Sequence, residues 1–331
     1  MPEATTYNTR DREDLLDIVT TLSPQETPLF ASTRKGKRPG NVLTEWLTDS
    51  LDLPNIAGKI EGEDVTSHKN PFANRAVVKN RVQTFTESWK VSREQEIISG
   101  PTSVKANIAD AKAKALNQLK VNMAAALGSD QQAVTAASGV ATLTRGLGAW
   151  VSDTQSGSGT SDIPASVRTP SSSIVSTNEL SETQFNGILQ SVYEASGAKK
   201  NYTAYLGPTL KRIVTEWKRG LNAIKDDSLD VPVDGEVKTI VLAVEIYEGD
   251  FGVVKLVPDL FLGRANNTGL TSNSRYRGYV VTPELLELGF AEAPTAVDQP
   301  DQGGGKRGYF EAMMSIRCLH PAGFGKIVAA A

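Results

Sequence analysis

Apolar residues recur every three or four positions over residues 102–127. Val104, Ile108, Ala111, Ala115, Leu119, Met123 and Ala126 form one narrow stripe, and Lys105, Asp110, Lys112, Lys114 and Lys120 occupy the other faces. The spacing predicts a helix of about 39 Å at 1.5 Å per residue, one side of which borders a core. Gly100-Pro101 opens it and Gly128 is placed to stop it. A second helix begins near Ser181. Ser181 and Gln184 have capping-box spacing, Leu180 and Phe185 that of a hydrophobic staple, and Phe185, Ile188, Leu189 and Val192 face inward up to Gly197. A third, residues 208–217, has proline in its first turn and Gly220 just past its end. Near the N-terminus, Asp11 can cap a short helix carrying Leu15, Ile18, Val19 and Leu22, stopped at Ser23-Pro24.

Other segments alternate with a period of two. "EVKTIVLAVEIY" and "GVVKLVP" flank residues 248–251 and predict a hairpin, and "RYRGYVVT" is a further strand. From Tyr309, Phe310, Ala312, Met314, Ile316 and Cys318 fall on one face and Glu311, Ser315 and Arg317 on the other. "PDQGGGKRG" precedes that strand as a turn, Trp150 in "TRGLGAWVS" is an expected anchor, and residues 152–178 read as a long surface loop. No period of 20 to 50 residues repeats. The class is α+β, with one long helix and extended strands.

Two more alternating runs, 42–51 and 77–92, bracket a long polar segment, "TEWLTDSLDLPNIAGKIEGED" leading into it. They predict an extended two-stranded arm with a polar tip. Ten paired residues reach roughly 33 Å, whereas a compact chain of this length has a radius of gyration of about 20 Å. An isolated ribbon is marginal in water, so the arm either folds back on its own body or lies on a neighbouring copy of the chain.

The 331 residues suffice for about two domains. A net charge of −3 supplies no global attraction to nucleic acid or an anionic membrane. One cysteine excludes an internal disulfide. No signal-peptide run and no membrane-spanning stretch is present, which predicts a soluble intracellular protein.

Catalytic chemistry is hard to find. His68 and His320 lack metal partners at useful spacing, Cys318 alternates inward, and no G-x-S-x-G motif occurs. "GGGKRG" at 303–308 fails as a phosphate loop, because Pro300 stands where the first glycine belongs and Arg307 where Ser or Thr is needed. Glu61, Glu63 and Asp64 read as a solvated acidic tip, or less simply as ligands for a hard cation. No cofactor is implied. Arg34, Lys35, Lys37 and Arg38 form the tight basic cluster "RKGKR". It reads as a solvated connection, a partner for acidic groups, or a weak non-specific contact with nucleic acid.

An ordered set of motifs spans nearly the whole chain: "REDLLDIVTTLSPQETPLF", "TEWLTDSLDLPN", "IEGED", "QTFTESWKVSREQE", "AKALNQLKVNMAAALGS", "TRGLGAWV", "LSETQFNGILQ", "LGPTLKR", "VKLVPDLF" and "HPAGFGKI". Together they resemble the major capsid proteins of tailed bacteriophages with the Hong Kong 97-type fold, in the branch typified by phage SU-ten. The resemblance implies an N-terminal arm (1–40), an extended loop or E-loop (41–90) and a peripheral domain (91–180) with the spine helix at about 102–127. It further implies an axial domain (181–290) and C-terminal strands returning to the sheets (291–331).

The function implied is self-assembly into an icosahedral shell around double-stranded DNA. Partners would be further copies of the chain in pentamers and hexamers, a separate scaffolding protein, a portal and a possible decoration protein. The separate scaffold is expected because no long charged helical prodomain precedes the arm. Subunit-interface candidates are Arg34, Lys35, Lys37, Arg38, Trp46, Leu47, Lys59, Glu61, Glu63 and Asp64. Some proteins of this fold cross-link their subunits through Lys and Asn side chains. Lys59 is a lysine of the implied E-loop, but the sequence shows no qualifying pocket to go with it. An encapsulin-like compartment shell shares the fold and is the alternative; an enzyme using acidic pairs is a remote one.

Overall fold

The computed structural model describes residues 26–49, 51–52, 54–66, 68–94, 104–152, 163–196, 200–225, 245–265 and 269–330. The predicted helix near Leu15 and the stop at Gly197 lie outside these residues.

Helix α1 (Pro28–Ser32) leads into β1 (Arg34–Lys35). Then come β2 (Leu43–Thr48), β3 (Ala76–Arg81), β4 (Gln83–Lys90) and the long α2 (Val104–Gly128). After α3 (Leu147–Trp150) and β5 (Ile174–Ser176) follow α4 (Glu182–Ser196), β6 (Lys200–Leu206) and α5 (Pro208–Lys225). The chain ends with β7 (Ile246–Gly249), β8 (Gly252–Pro258), α6 (Ser272–Arg275), β9 (Gly278–Val281), β10 (Leu286–Gln299), β11 (Arg307–Cys318) and β12 (Gly325–Val328).

Three sheets result. A four-stranded sheet has the order β1-β10-β11-β4, a six-stranded sheet β5-β12-β9-β6-β8-β7, and β2 with β3 makes a separate ribbon. In the first, Phe310, Ala312, Met314, Ile316 and Cys318 of β11 are buried with Ala115, Leu119, Met123 and Ala126 of α2, so strand alternation meets the helical stripe. Burial pushes the Cys318 thiol well above its ordinary pKa, which leaves it a packing group.

The six-stranded sheet serves two cores at once. Tyr202, Ala204 and Leu206 of β6, with Val280 of β9, pack under α4 and α5. The alternate residues Tyr205, Tyr279 and Val281 join the α2 core. That is why "GYVV" is apolar without alternation: both faces are covered. The Tyr279 hydroxyl donates to the carbonyl of Gly128 at 3.0 Å, tying the end of α2 to β9.

The α4 capping box forms as expected, with Gln184 N–H donating to Ser181 Oγ at 3.2 Å and Ser181 N–H to Gln184 Oε1 at 3.0 Å. Other expectations need correction. The run 77–92 is not one strand. It breaks at Val82, and β4 pairs with β11 instead of β2. The burial phase changes there, from Val78, Asn80 and Val82 to Phe85 and Trp89, so the pleat cannot continue in one sheet. Helix α5 runs through Gly220 to Lys225, since one internal glycine costs only about 1 kcal/mol. The β7–β8 turn is Asp250-Phe251, tighter than four residues. Within the supposed surface loop, Ile163, Val167, Thr169 and Ser173 are buried and β5 pairs with β12. On the face of β11 opposite the α2 core, Ser315 is buried, its hydroxyl 3.1 Å from Thr44 Oγ1 of the β2–β3 ribbon. Strand β10 has no counterpart in the sequence pattern: its distal half is exposed, so it carries no alternating signal.

Candidate assembly interface

The β2–β3 ribbon pairs Leu43 with Arg81 through Thr48 with Ala76, and the described residues between these strands form the loop it carries. Its root is fixed by a buried polar knot. Asn80, fully buried, donates to Thr144 Oγ1 at 3.1 Å and to the carbonyl of Ile316. Its side-chain oxygen accepts from Arg145 N–H at 2.9 Å and from Arg81 N–H at 2.8 Å. Thr44 Oγ1 donates to the Asn80 carbonyl at 3.0 Å and lies 3.1 Å from Ser315 Oγ. Gln83 Oε1 accepts from Gln131 Nε2 at 2.7 Å and Thr144 N–H at 3.1 Å, continuing the network to the end of α2. Such a satisfied buried network specifies one orientation for what it holds.

Above the root, charges pair within the loop. Lys79 reaches Glu45 at 2.9 Å, Arg75 reaches Asp49 at 3.0 Å and Lys69 reaches Asp52 at 3.4 Å. Asn74 also donates to Asp52 at 2.8 Å, and with Lys69 it lowers the carboxyl pKa of Asp52. The stem acids are thereby answered locally. Among the described residues, Glu61, Glu63 and Asp64 have no ion-pair partner and all are exposed, as is Lys59. Apolar side chains share the exposure: Leu51 and Ile56 are each 97% accessible and Ile60 77%. A folded chain rarely leaves such residues to water in one segment unless a surface covers them.

The predicted interface residues therefore divide. Leu47 is exposed. Trp46 is half-buried and packs inward on Trp150, ring centroids 5.6 Å apart, so it anchors the loop to its own body. "RKGKR" is not a free connection throughout. Arg34 and Lys35 form β1 on β10, and Arg34 is paired with Glu287. Lys35, Lys37 and Arg38 are exposed.

The chain before β1 is fastened by Asp259. This buried carboxylate accepts from Leu29 N–H at 3.1 Å and Phe261 N–H at 2.8 Å, and burial raises its pKa. The Ser32 hydroxyl meets the Tyr205 hydroxyl beside it. Asn80 lies in none of the quoted motifs, and Thr144 and Asp259 stand in "TRGLGAWV" and "VKLVPDLF" without a role assigned to them; polar residues inside apolar surroundings were the available signal. No group of three or more His, Cys, Asp or Glu among the described residues is arranged to hold a metal. No described helix is long and apolar enough to cross a membrane.

As a whole the fold has phage capsid proteins among its structural neighbours. The chain is similar in structure to the capsid protein of cyanophage A-1(L), with 13% identity and a TM-score of 0.63 over 98% of this chain and 97% of that one. It is similar to that of cyanophage P-SCSP1u, with 10% identity and a TM-score of 0.59 over 97% and 94%. Similarity to that of cyanophage Pam1 has 10% identity and a TM-score of 0.57 over the full length of both chains. No curated protein sequence matches the chain. The model of the SU10 major capsid protein family matches residues 2–331, and the chain belongs to that family. It is a major capsid protein of the tailed-phage type, a structural protein of the virion shell and not an enzyme. The match favours the phage shell over the cellular-compartment alternative.

Proposed function

We propose that copies of this chain close into an icosahedral shell around double-stranded DNA, each copy clamping a neighbour with residues 49–75. The carrying observation is the contrast within one ribbon. A buried, fully bonded root at Asn80 supports a loop whose apolar and acidic side chains have no cover in their own subunit. In this reading the ribbon and its loop are the E-loop, α2 is the spine helix, and residues 26–40 belong to the N-terminal arm. The sheet containing β4 and β11 belongs to the peripheral domain, and the sheet under α4 and α5 to the axial domain. Leu47, Lys59, Glu61, Glu63 and Asp64 act at subunit contacts, and Lys35, Lys37 and Arg38 offer a second basic contact surface. A scaffolding protein, a portal and a possible decoration protein are the further partners.

Replacing residues 52–74 by a tight turn tests the clamp. The segment contributes little to either core, so circular dichroism should report a folded subunit while the yield of stable shells falls. Shells of normal yield and stability would refute the clamp.

A further inference from the structure

The two cores meet at a polar junction, where the segment after α2 touches the six-stranded sheet. Asp130 stands two residues beyond the end of α2. Arg277, just before β9, reaches its carboxylate with both terminal nitrogens, Nη1 lying 3.3 Å from Oδ1. Lys326 of β12 donates to the same carboxylate at 2.8 Å and to the Gly148 carbonyl of α3 at 2.6 Å. We propose that this clasp fixes the angle between the α2 core and the core under α4 and α5, and that this angle sets the curvature at which shells close. The inference rests on the shell reading and adds the residues that hold each subunit to one shape.

Charge gives the first argument. The side chains of Arg277 and Lys326 are 3% and 13% exposed, and that of Asp130 is 43% exposed. One carboxylate near the surface therefore answers two largely buried cations, each from a different part of the sheet. Breaking a buried pair leaves an uncompensated charge, so Asp130 is held to both. Arg277 also donates to Asn273 Oδ1 at 2.8 Å, which fixes the direction of its guanidinium.

Close packing gives the second. A Cβ on Gly148 would collide with Asp130 Oδ1 and the Tyr279 hydroxyl. Gly148 N–H donates to the Ser129 carbonyl at 3.0 Å, and the Gly128 carbonyl accepts from Gly263 N–H at 2.8 Å as well as from Tyr279. The other tie between the cores is the shared sheet, with Tyr205 and Val281 on one face and Ala204 and Val280 on the other. Apolar contact is non-directional and holds the cores together without choosing an angle; the hydrogen bonds and ion pairs of the clasp are directional. The ribbon is rooted in the α2 core through Asn80, so rotation of that core against the other swings the loop. Copies of one chain close only when their interfaces repeat a rotation that closes.

Lys326→Met tests the proposal, because it cuts β12 from the clasp and leaves one carboxylate facing one arginine. Spin labels on Lys114→Cys of α2 and Glu194→Cys of α4, both exposed, report the angle, and the native Cys318 is buried and stays unlabelled. Distances between the labels are measured by pulsed electron resonance in unassembled full-length subunits, with labelled chains diluted into unlabelled ones. Lys326→Met should broaden the distance distribution about twofold or more, and shells grown from it should show a spread of diameters in electron micrographs. Arg212→Met, which removes an exposed pair within α5, should leave both readouts native. A native distance distribution in Lys326→Met, or equal broadening in Arg212→Met, overturns the clasp. Failure of Lys326→Met to fold by circular dichroism overturns it too, because Lys326 would then be needed for the cores themselves. Broadened distances with shells of native diameter overturn the link to curvature. If the native chain forms no shells, the shell reading fails, while the distances in unassembled subunits still decide the clasp.

Discussion

Trp46 of β2 lies against Trp150 of α3 with ring centroids 5.6 Å apart and planes tilted by 49°. One ring belongs to the ribbon and the other to the centre of the α2 core, so the contact transmits the position of the body to the loop. Trp150→Ala should destabilise the isolated subunit by about 3–5 kcal/mol, and Trp46→Ala, half-buried, by less. A double-mutant cycle read by urea unfolding should give a coupling of about 0.5–1.5 kcal/mol. Additive losses would mean the rings are merely adjacent.

Asn80→Leu removes an amide that serves four partners inside the knot. Each buried group left unpaired costs about 1–3 kcal/mol. Hydrogen exchange should show faster opening of β2 and β3 than in the native chain, with α4 unchanged. Protection of the ribbon at native levels would show that the apolar contacts alone fix it.

Asp259 sets a pH dependence. Burial is the leading cause of its raised pKa, only partly offset by the N–H groups of Phe261 and Leu29 and by Arg264. The folded chain therefore takes up the proton before the unfolded chain does. The stability this contributes is full below the ordinary carboxylate pKa and is lost as pH rises through the raised one. Relative to Asp259→Asn, the native subunit should gain stability on acidification through that window, measured by denaturant titration at several pH values. Parallel profiles for the two proteins would contradict it.

Salt should separate the tip from the stem. Neutralising Glu61, Glu63 and Asp64 together should weaken assembly at low salt and flatten its salt dependence, because exposed pairs of about 0–1 kcal/mol each are screened over roughly 10 Å at 0.1 M. Neutralising Asp49, already paired with Arg75, should change that dependence far less. Light scattering of assembling subunits over a salt series distinguishes them.

Local chemistry made several elements legible in the sequence. The α2 stripe, the Ser181–Gln184 cap and the inward face of β11 depend on periodicity or on groups a few residues apart, and those relations survive whatever the chain packs against. The polar run after β2, with its acidic tip, was visible for the same reason: too few apolar residues to form a core of its own. Tertiary structure decided what lay between distant segments. Val82 breaks the ribbon because β11 competes for β4, Trp46 turns inward because Trp150 waits there, and Asn80 is tolerated because Thr144, Arg145 and Ile316 satisfy it. Periodicity encodes which side of an element is apolar, but not which remote partner covers it; that choice is made by the summed packing and hydrogen bonding of the folded chain.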